Sequence, residues 1–548
     1  MKIFKLFVIW VWVLLLSACT KVLDTEPYSF TTGKNFYKTA AEIELALTGC
    51  YSMINVDAVE GAGGQGATFH IVMPIMLSAG TDELITREGL NNQYSPFGLL
   101  SYTSQNEKIR YNWFYLYAGI NRANYIVDKI AAVEMSEKRK EEVIGEARFL
   151  RGLYYMYLAM MYGGVPIHLT LEHDPALPRQ PLEKVYAQII EDFKFAYEVL
   201  PHRAAITGRA NKWSAAGFLA KVYTYLGSCK KFSVGADLNF ALNSFDWVDE
   251  NAMYQEALTL TTDIINFSEY TLIDKYSYLF YETTNSFKRD ESLFSSLSST
   301  NSTSGNYHVW LYFQAVQGNT NSMGGSQGLF RPTAEIYHKY DLSDSRLDQN
   351  LSLAMNTSST TEVVEGVTYY LPRTISHGTA NALQTQFYCV AKYRMMDPAE
   401  KQISLSRSSG DVSLLRYADI LLLHAEALYY ANSDETEARE YLKQVRQRIT
   451  SSGTELDGLT AAYYKSDFIE ELLDERSREL CFENWRRIDL IRFGKLGSVI
   501  AAMDRNASYW NIVAPILQEN WGSYRIWFPV PRTEFDLAPS LGDQNPRY

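Results

Sequence analysis

Apolar residues recur at three- and four-residue steps along much of this chain. Over residues 141–162 they fall at Val143, Ala147, Leu150, Tyr154, Leu158 and Met161, the spacing of one helix face. Gly163-Gly164 ends the pattern and Pro166 blocks its resumption. The same period predicts helices over residues 39–54, 112–130, 181–200, 212–226 and 254–267. Ala220, Tyr223 and Gly227, set against Tyr254, Ala257 and Leu258, look like a tetratricopeptide helix hairpin with a widened turn. Residues 417–430 and 436–449 read as a second hairpin. Each unit is too thin to bury its own apolar face, so neighbours must stack. The repeat is irregular, so an uninterrupted solenoid is not expected. A charged amphipathic helix is predicted over residues 468–493.

Two stretches break the period. Residues 80–110 are polar and irregular. Residues 280–410 are dominated by Ser, Thr, Asn and Gly. Short apolar pieces such as residues 368–371 predict brief strands there. The expected fold is mainly α: helix pairs forming a scaffold with a loop-rich flank. Loops held on rigid helices commonly carry recognition.

The amino end has a different pattern. Lys2 and Lys5 precede an apolar run over residues 6–16, and Leu16-Ser17-Ala18-Cys19 follows. The run is too short to span a bilayer and fits a secretion signal. A cysteine after small residues matches a bacterial lipobox, which makes Cys19 the expected lipidation site. Residues 1–18 are then the signal and 19–35 a polar tether. No later segment has the length and lack of charge of a membrane span.

Charge narrows the partners. The 548 residues carry a formal net charge of −12 and no dense Lys/Arg stripe, so nucleic acid is not an expected partner. Besides Cys19, Cys50, Cys229, Cys389 and Cys481 are far apart and form no CxxC pair. Buried free thiols are the expected state of Cys50 and Cys481, while a disulfide remains an alternative in an oxidising compartment.

Catalytic patterns fail on context. Residues 61–66 fit G-x-G-x-x-G, but no apolar strand leads into them. Residues 324–328 fit G-x-S-x-G, but they follow a polar loop. The eight histidines are scattered, and His424 and Glu426 point to different helix faces. Glu470, Glu471, Asp474 and Glu475 alternate with Arg476 and Arg478, which reads as a salt-bridged solvated face rather than a glycosidase pair. No metal or cofactor is expected; calcium ordering of the loops is the one exception left open.

Aromatic and amide clusters in the loops suit sugars, whose C–H faces stack on flat rings while amides reach hydroxyls. One cluster is Asn91, Asn92, Gln93, Tyr94 and Phe97. The other is Tyr307, His308, Trp310, Tyr312, Phe313 and Gln314.

Several blocks in this order resemble one family. They are residues 146–155 leading to 162–166, then 208–212, 329–333 with Asp344-Ser-Arg346, 415–422 with Ala425-Glu426-Ala427, 475–480 with Arg487-Ile-Asp489-Leu490, and the ending Phe528-Pro-Val-Pro531 with Gln544-Asn-Pro546. Behind a lipobox, this series is similar to the SusD/RagB family of outer-membrane nutrient-binding lipoproteins. The resemblance implies a helical superhelix of tetratricopeptide-like pairs, an N-terminal helical domain over 36–230, and a C-terminal domain over 254–548 carrying the insertion at 280–410. It implies no catalysis. It also implies capture of an oligosaccharide, or in some members a peptide, and delivery to a SusC-type TonB-dependent transporter from a lipid anchor facing outward. A surface glycoside hydrolase is the reading from another class.

Within these blocks, Arg476, Arg478, Arg486 and Arg487 lie near Asp474, Glu475, Glu479 and Asp489. They predict fork-shaped clamps between helices, with Trp485 packed against them. Arg148 and Arg151 are expected to bridge to loop carbonyls.

Overall fold

A computed structural model describes residues 36–54, 68–171, 174, 176–298, 306–307, 329–353, 361–364, 367–370, 388–393, 407–408, 410–505 and 512–548. Cys19, the signal, the tether and both glycine motifs lie outside them, as do Trp310 and Tyr312.

The main helices are α1 (Ala40–Tyr51), α2 (Glu107–Lys129), α3 (Glu137–Tyr162), α4 (Leu182–Val199), α5 (Lys212–Lys231), α6 (Glu250–Phe267), α7 (Tyr417–Ala427), α8 (Glu435–Gln447), α9 (Phe468–Leu480) and α10 (Arg486–Arg492). From α1 to α8 each packs on its successor. The result is the expected stack of helix pairs. The interval between α6 and α7 holds the loop-rich insertion.

Local signals set the boundaries. The Thr39 side chain accepts from Glu42 N and closes a capping box on α1. Ser136 and Asn211 cap α3 and α5 by accepting from Arg139 N and Ser214 N. Pro181 stands at the start of α4, where a missing N–H costs nothing. α3 starts amphipathic but is buried on every side from Leu153 to Tyr162, so its second half runs through the core. Gly119 and Gly227 bring neighbouring helices close. A Cβ on either would meet the ring of Tyr154 at 2.4 Å or Tyr254 at 2.9 Å. The second contact is the predicted hairpin between α5 and α6.

Among the described residues, ten short strands pair antiparallel in five two-stranded ladders. They are β1 (Leu84–Thr86) with β4 (Phe330–Pro332), β2 (Ser292–Ser296) with β10 (Val412–Arg416), β3 (Asn306–Tyr307) with β9 (Arg407–Ser408), β5 (Leu351–Leu353) with β8 (Tyr388–Val390), and β6 (Thr361–Val364) with β7 (Val367–Tyr370). The brief strand expected near residue 368 is β7.

Three expectations need correction. The helix predicted over 468–493 is two helices. Phe482 and Asn484 take left-handed backbone angles, φ 62° and 73°, and break it between α9 and α10. The charged face of α9 is largely buried rather than solvated: Glu475 and Glu479 are 0% exposed and Arg476 and Arg478 only 2%. Arg148 and Arg151 bridge to a carboxylate, not to loop carbonyls. Both donate to Asp192 on α4, at 2.8 Å from Arg148 Nε and 2.7 Å from Arg151 Nη2.

The clamp expectation itself is realised around α9. Arg346 donates to Asp344 and Glu475 at 2.8 Å and to Glu479 at 3.0 Å. Arg446 holds Glu475 and Glu471, and Arg416 spans Glu291, Glu479 and Glu483. Arg476 reaches Asp489 and Asp419, and Lys221 on α5 pairs with Asp419 beneath the Trp485 ring. Arg487 differs. It has no carboxylate partner among the described residues and donates to Tyr102 Oη and the Arg525 carbonyl. Cys50, Cys229 and Cys481 are buried free thiols.

Candidate functional site

The polar run at 80–110 is where the fold turns sequence into a site. Thr81, Asp82 and Glu83 are buried, although their types predict exposure. Asp82 receives Arg486 Nε at 2.8 Å. Burial pushes Glu83 up to about 7, against the pull of Arg486. Its oxygens accept from Ser477 Oγ at 2.7 Å and from Phe482 N at 3.2 Å. These bonds fasten β1 to the break between α9 and α10. β1 in turn pairs with β4, and Arg87 N donates to Leu329 O at 3.0 Å.

The chain beyond β1 is therefore fixed beside residues 329–332, within the loop-rich insertion. Glu88, Gly89, Asn91, Asn92 and Gln93 are exposed there. The first predicted cluster thus follows a strand that pairs with β4.

The members of the first cluster divide by role. Asn91 and Gln93 are exposed. Asn92 turns its oxygen inward, accepting from Tyr94 N at 2.8 Å and Ser95 N at 3.0 Å. That is an Asx-type turn that shapes the loop. Tyr94 and Phe97 are core residues, 3% and 1% exposed, which removes them as sugar platforms. Phe97 stacks on Tyr102 at 5.6 Å and lies edge-on to Phe528 at 6.1 Å. The Lys108 ammonium sits 4.9 Å from the Tyr94 ring centre. In the second cluster, the Tyr307 backbone is in β3; Trp310 and Tyr312 are not described.

Sequence reasoning missed a second recess. A cleft of about 640 Å³ lies among the N-terminal end of α5, the C-terminal end of α6 and β2. Phe267 on its wall is 65% exposed. Trp213 forms part of the floor with the His202 ring edge-on at 5.0 Å. The signal available in the sequence was an apolar Phe closing a helix beside a polar segment, a weak cue.

Chemistry by bond cleavage needs exposed, convergent acid and base groups. The carboxylates around α9 have neither exposure nor freedom. Burial alone would raise Glu479, yet the charges of Arg448, Arg416 and Arg346 hold it at about 2. His424 faces Thr261 Oγ1 at 2.9 Å, whereas Glu426 takes Arg492 and Ser228, so the two do not act together. Among the described residues no group of three or more His, Cys, Asp or Glu side chains is placed to hold a metal ion. None of the described helices is long and apolar enough to cross a membrane.

Comparison with known proteins adds to this geometry. Residues 290–548 match the model of the SusD family, and residues 81–224 match a second model described as starch-binding associating with outer membrane. Two proteins of Formosa agariphila, both called SusD-like, are each 23% identical. They cover 96% and 100% of this chain and 95% and 100% of their own lengths. A solved SusD homolog from Bacteroides thetaiotaomicron superposes with a TM-score of 0.74 at 22% identity, over 94% of this chain and 98% of its own. A laminarin-binding SusD-like protein superposes with a TM-score of 0.65 at 20% identity, over 93% and 100%.

Proposed function

The chain belongs to the SusD family, and on that premise we propose that it captures an oligosaccharide without cleaving it and hands it to a SusC-type transporter. The observation that carries this reading is the turn at residues 87–93. It is largely exposed and amide-rich, yet anchored beside β1 to the junction of α9 and α10 and through β4 to the insertion. Rigid support under polar side chains lowers the ordering cost of gripping a flexible glycan. Asn91 and Gln93 offer hydrogen bonds from this turn, and Tyr307, Trp310 and Tyr312 are the proposed stacking partners.

One family model concerns proteins associating with the outer membrane. Cys19 is the residue through which acyl chains would tie this chain there. The laminarin-binding neighbour makes a neutral glucan a sensible first ligand. Titrating the protein with a panel of oligosaccharides tests the reading: saturable binding is expected, weakened by Trp310→Ala and untouched by Tyr94→Phe. No binding across the panel would contradict it. Palmitate labelling and co-purification from outer membranes test the anchor and the partner. Cys19→Ala is expected to abolish the label.

A further inference from the structure

The cleft beside Phe267 shares no lining residue with the 87–93 turn, and its lining has a different chemistry. The chain as a whole carries a net charge of −12, yet this recess is lined by Arg203, Arg209 and Arg289 against Glu269 and Asp290. The three guanidinium groups are not equivalent. Arg209 is spent on structure: its side chain is 11% exposed and donates to Glu44 at 2.9 Å. Arg203 is 79% exposed and, among the described residues, forms its ion pair with Glu269, itself 67% exposed. Arg289 is 49% exposed and reaches Asp411 at a long 3.5 Å.

The Arg203–Glu269 pair is exposed on both sides, and such a pair contributes little, from zero to about 1 kcal/mol, so an incoming carboxylate or sulfate can displace Glu269. Asp411 is buried, its side chain 3% exposed, so Arg289 keeps that partner while its half-exposed guanidinium stays open to an incoming anion, and the guanidinium fork suits such groups. The same cleft is lined by the exposed Phe267, by Tyr270, whose hydroxyl accepts from Asn211 Nδ2 at 2.8 Å, and by the His202–Trp213 pair. An aromatic wall with polar groups on its floor matches a sugar ring's apolar face and hydroxyl rim.

We propose that this cleft is a second saccharide site that takes an anionic sugar, with Arg203 and Arg289 gripping its carboxylate or sulfate and Phe267 stacking on the ring. The inference rests on the saccharide-binding reading and adds the ligand's charge class. Uronate and sulfate groups share the chemistry that recognises both, so the probes separate them: oligogalacturonides, sulfated galactan oligosaccharides and neutral galactan oligosaccharides.

The test is calorimetric titration of the full chain and of the variants Arg203→Gln/Arg289→Gln and Phe267→Ala, at low and high salt. All three positions are exposed, and thermal unfolding monitors that the variants remain folded. At least one charged probe should bind the parent protein, weaken as salt rises, and lose at least about tenfold in affinity in the double arginine variant, as expected for lost hydrogen bonds to a charged group. Neutral ligand bound at the 87–93 face should be unaffected. Charged probes that bind no better than neutral ones, or that bind the double variant as tightly as the parent, would overturn the proposal while leaving the function above intact. Failure of every saccharide, charged or neutral, would overturn both.

Discussion

Two of the places where arginine and carboxylate side chains meet in this molecule do opposite things. Around α9 they are sealed: Arg346, Arg446, Glu475 and Glu479 are each 0% exposed. At the Phe267 cleft, Arg203 and Glu269 stand in solvent. In the interior, each charge has lost its water and depends on its partners, so removing one strands the rest. At the rim, water replaces a lost partner. Charge therefore fixes geometry in the first region and is available to a ligand in the second. The residue types alone do not tell these cases apart; burial does.

The sharpest way to break this contrast is Arg346→Ala. It would leave Asp344 and Glu475 facing an uncompensated interior, and a loss of about 3–5 kcal/mol is expected. Urea unfolding measures it. A loss below about 1 kcal/mol, the range of exposed pairs, would erase the distinction.

Acid should expose the same asymmetry. Burial holds His70 and His424 at about 4 in the folded protein, below the ordinary 6.5. Unfolding then takes up protons, so their contribution to stability is present above pH 6.5 and declines as pH falls toward 4. Glu479, held at about 2, adds a second decline below its ordinary 4.5. Glu83 acts with the opposite sign. Raised to about 7, it favours the fold below pH 4.5 and loses that contribution as pH rises to 7. Thermal melts across pH 3–7 should show the net acid loss, and Glu83→Gln should remove the opposing part.

A smaller effect separates packing from charge. Gly227→Ala drives a methyl into the buried Tyr254 ring and should cost about 1–3 kcal/mol, read by the same unfolding experiment, with no change in salt dependence. The smallest effect belongs to the rim. A double-mutant cycle on Arg203 and Glu269 should give a coupling below about 1 kcal/mol that shrinks further in salt.

Much of the scaffold was legible because its signals are local. Ser136, Pro181 and Asn211 mark helix starts, and the apolar spacing of α3 needs no partner to be read. What could not be read depends on distant chain. Asp82 and Glu83 look like a surface loop until Arg486, Ser477 and Phe482 arrive some 400 positions later. The break after α9 hides inside a continuous charged pattern for the same reason. The two ends of the first aromatic and amide cluster fare differently in the fold. Asn91 and Asn92 lie on the exposed turn, but Tyr94 and Phe97 are claimed by Lys108, Tyr102 and Phe528. An aromatic beside amides has the same composition whether it stacks on a sugar or on another ring.

The central claim is that this braced scaffold holds cargo by contact alone. The most direct measurement is to saturate the purified protein with an oligosaccharide that it binds, incubate, and resolve the recovered sugar by chain length. Full recovery at the starting length, with one bound equivalent or more released on denaturation, is the predicted result. Shortened products at a rate proportional to protein concentration would contradict it.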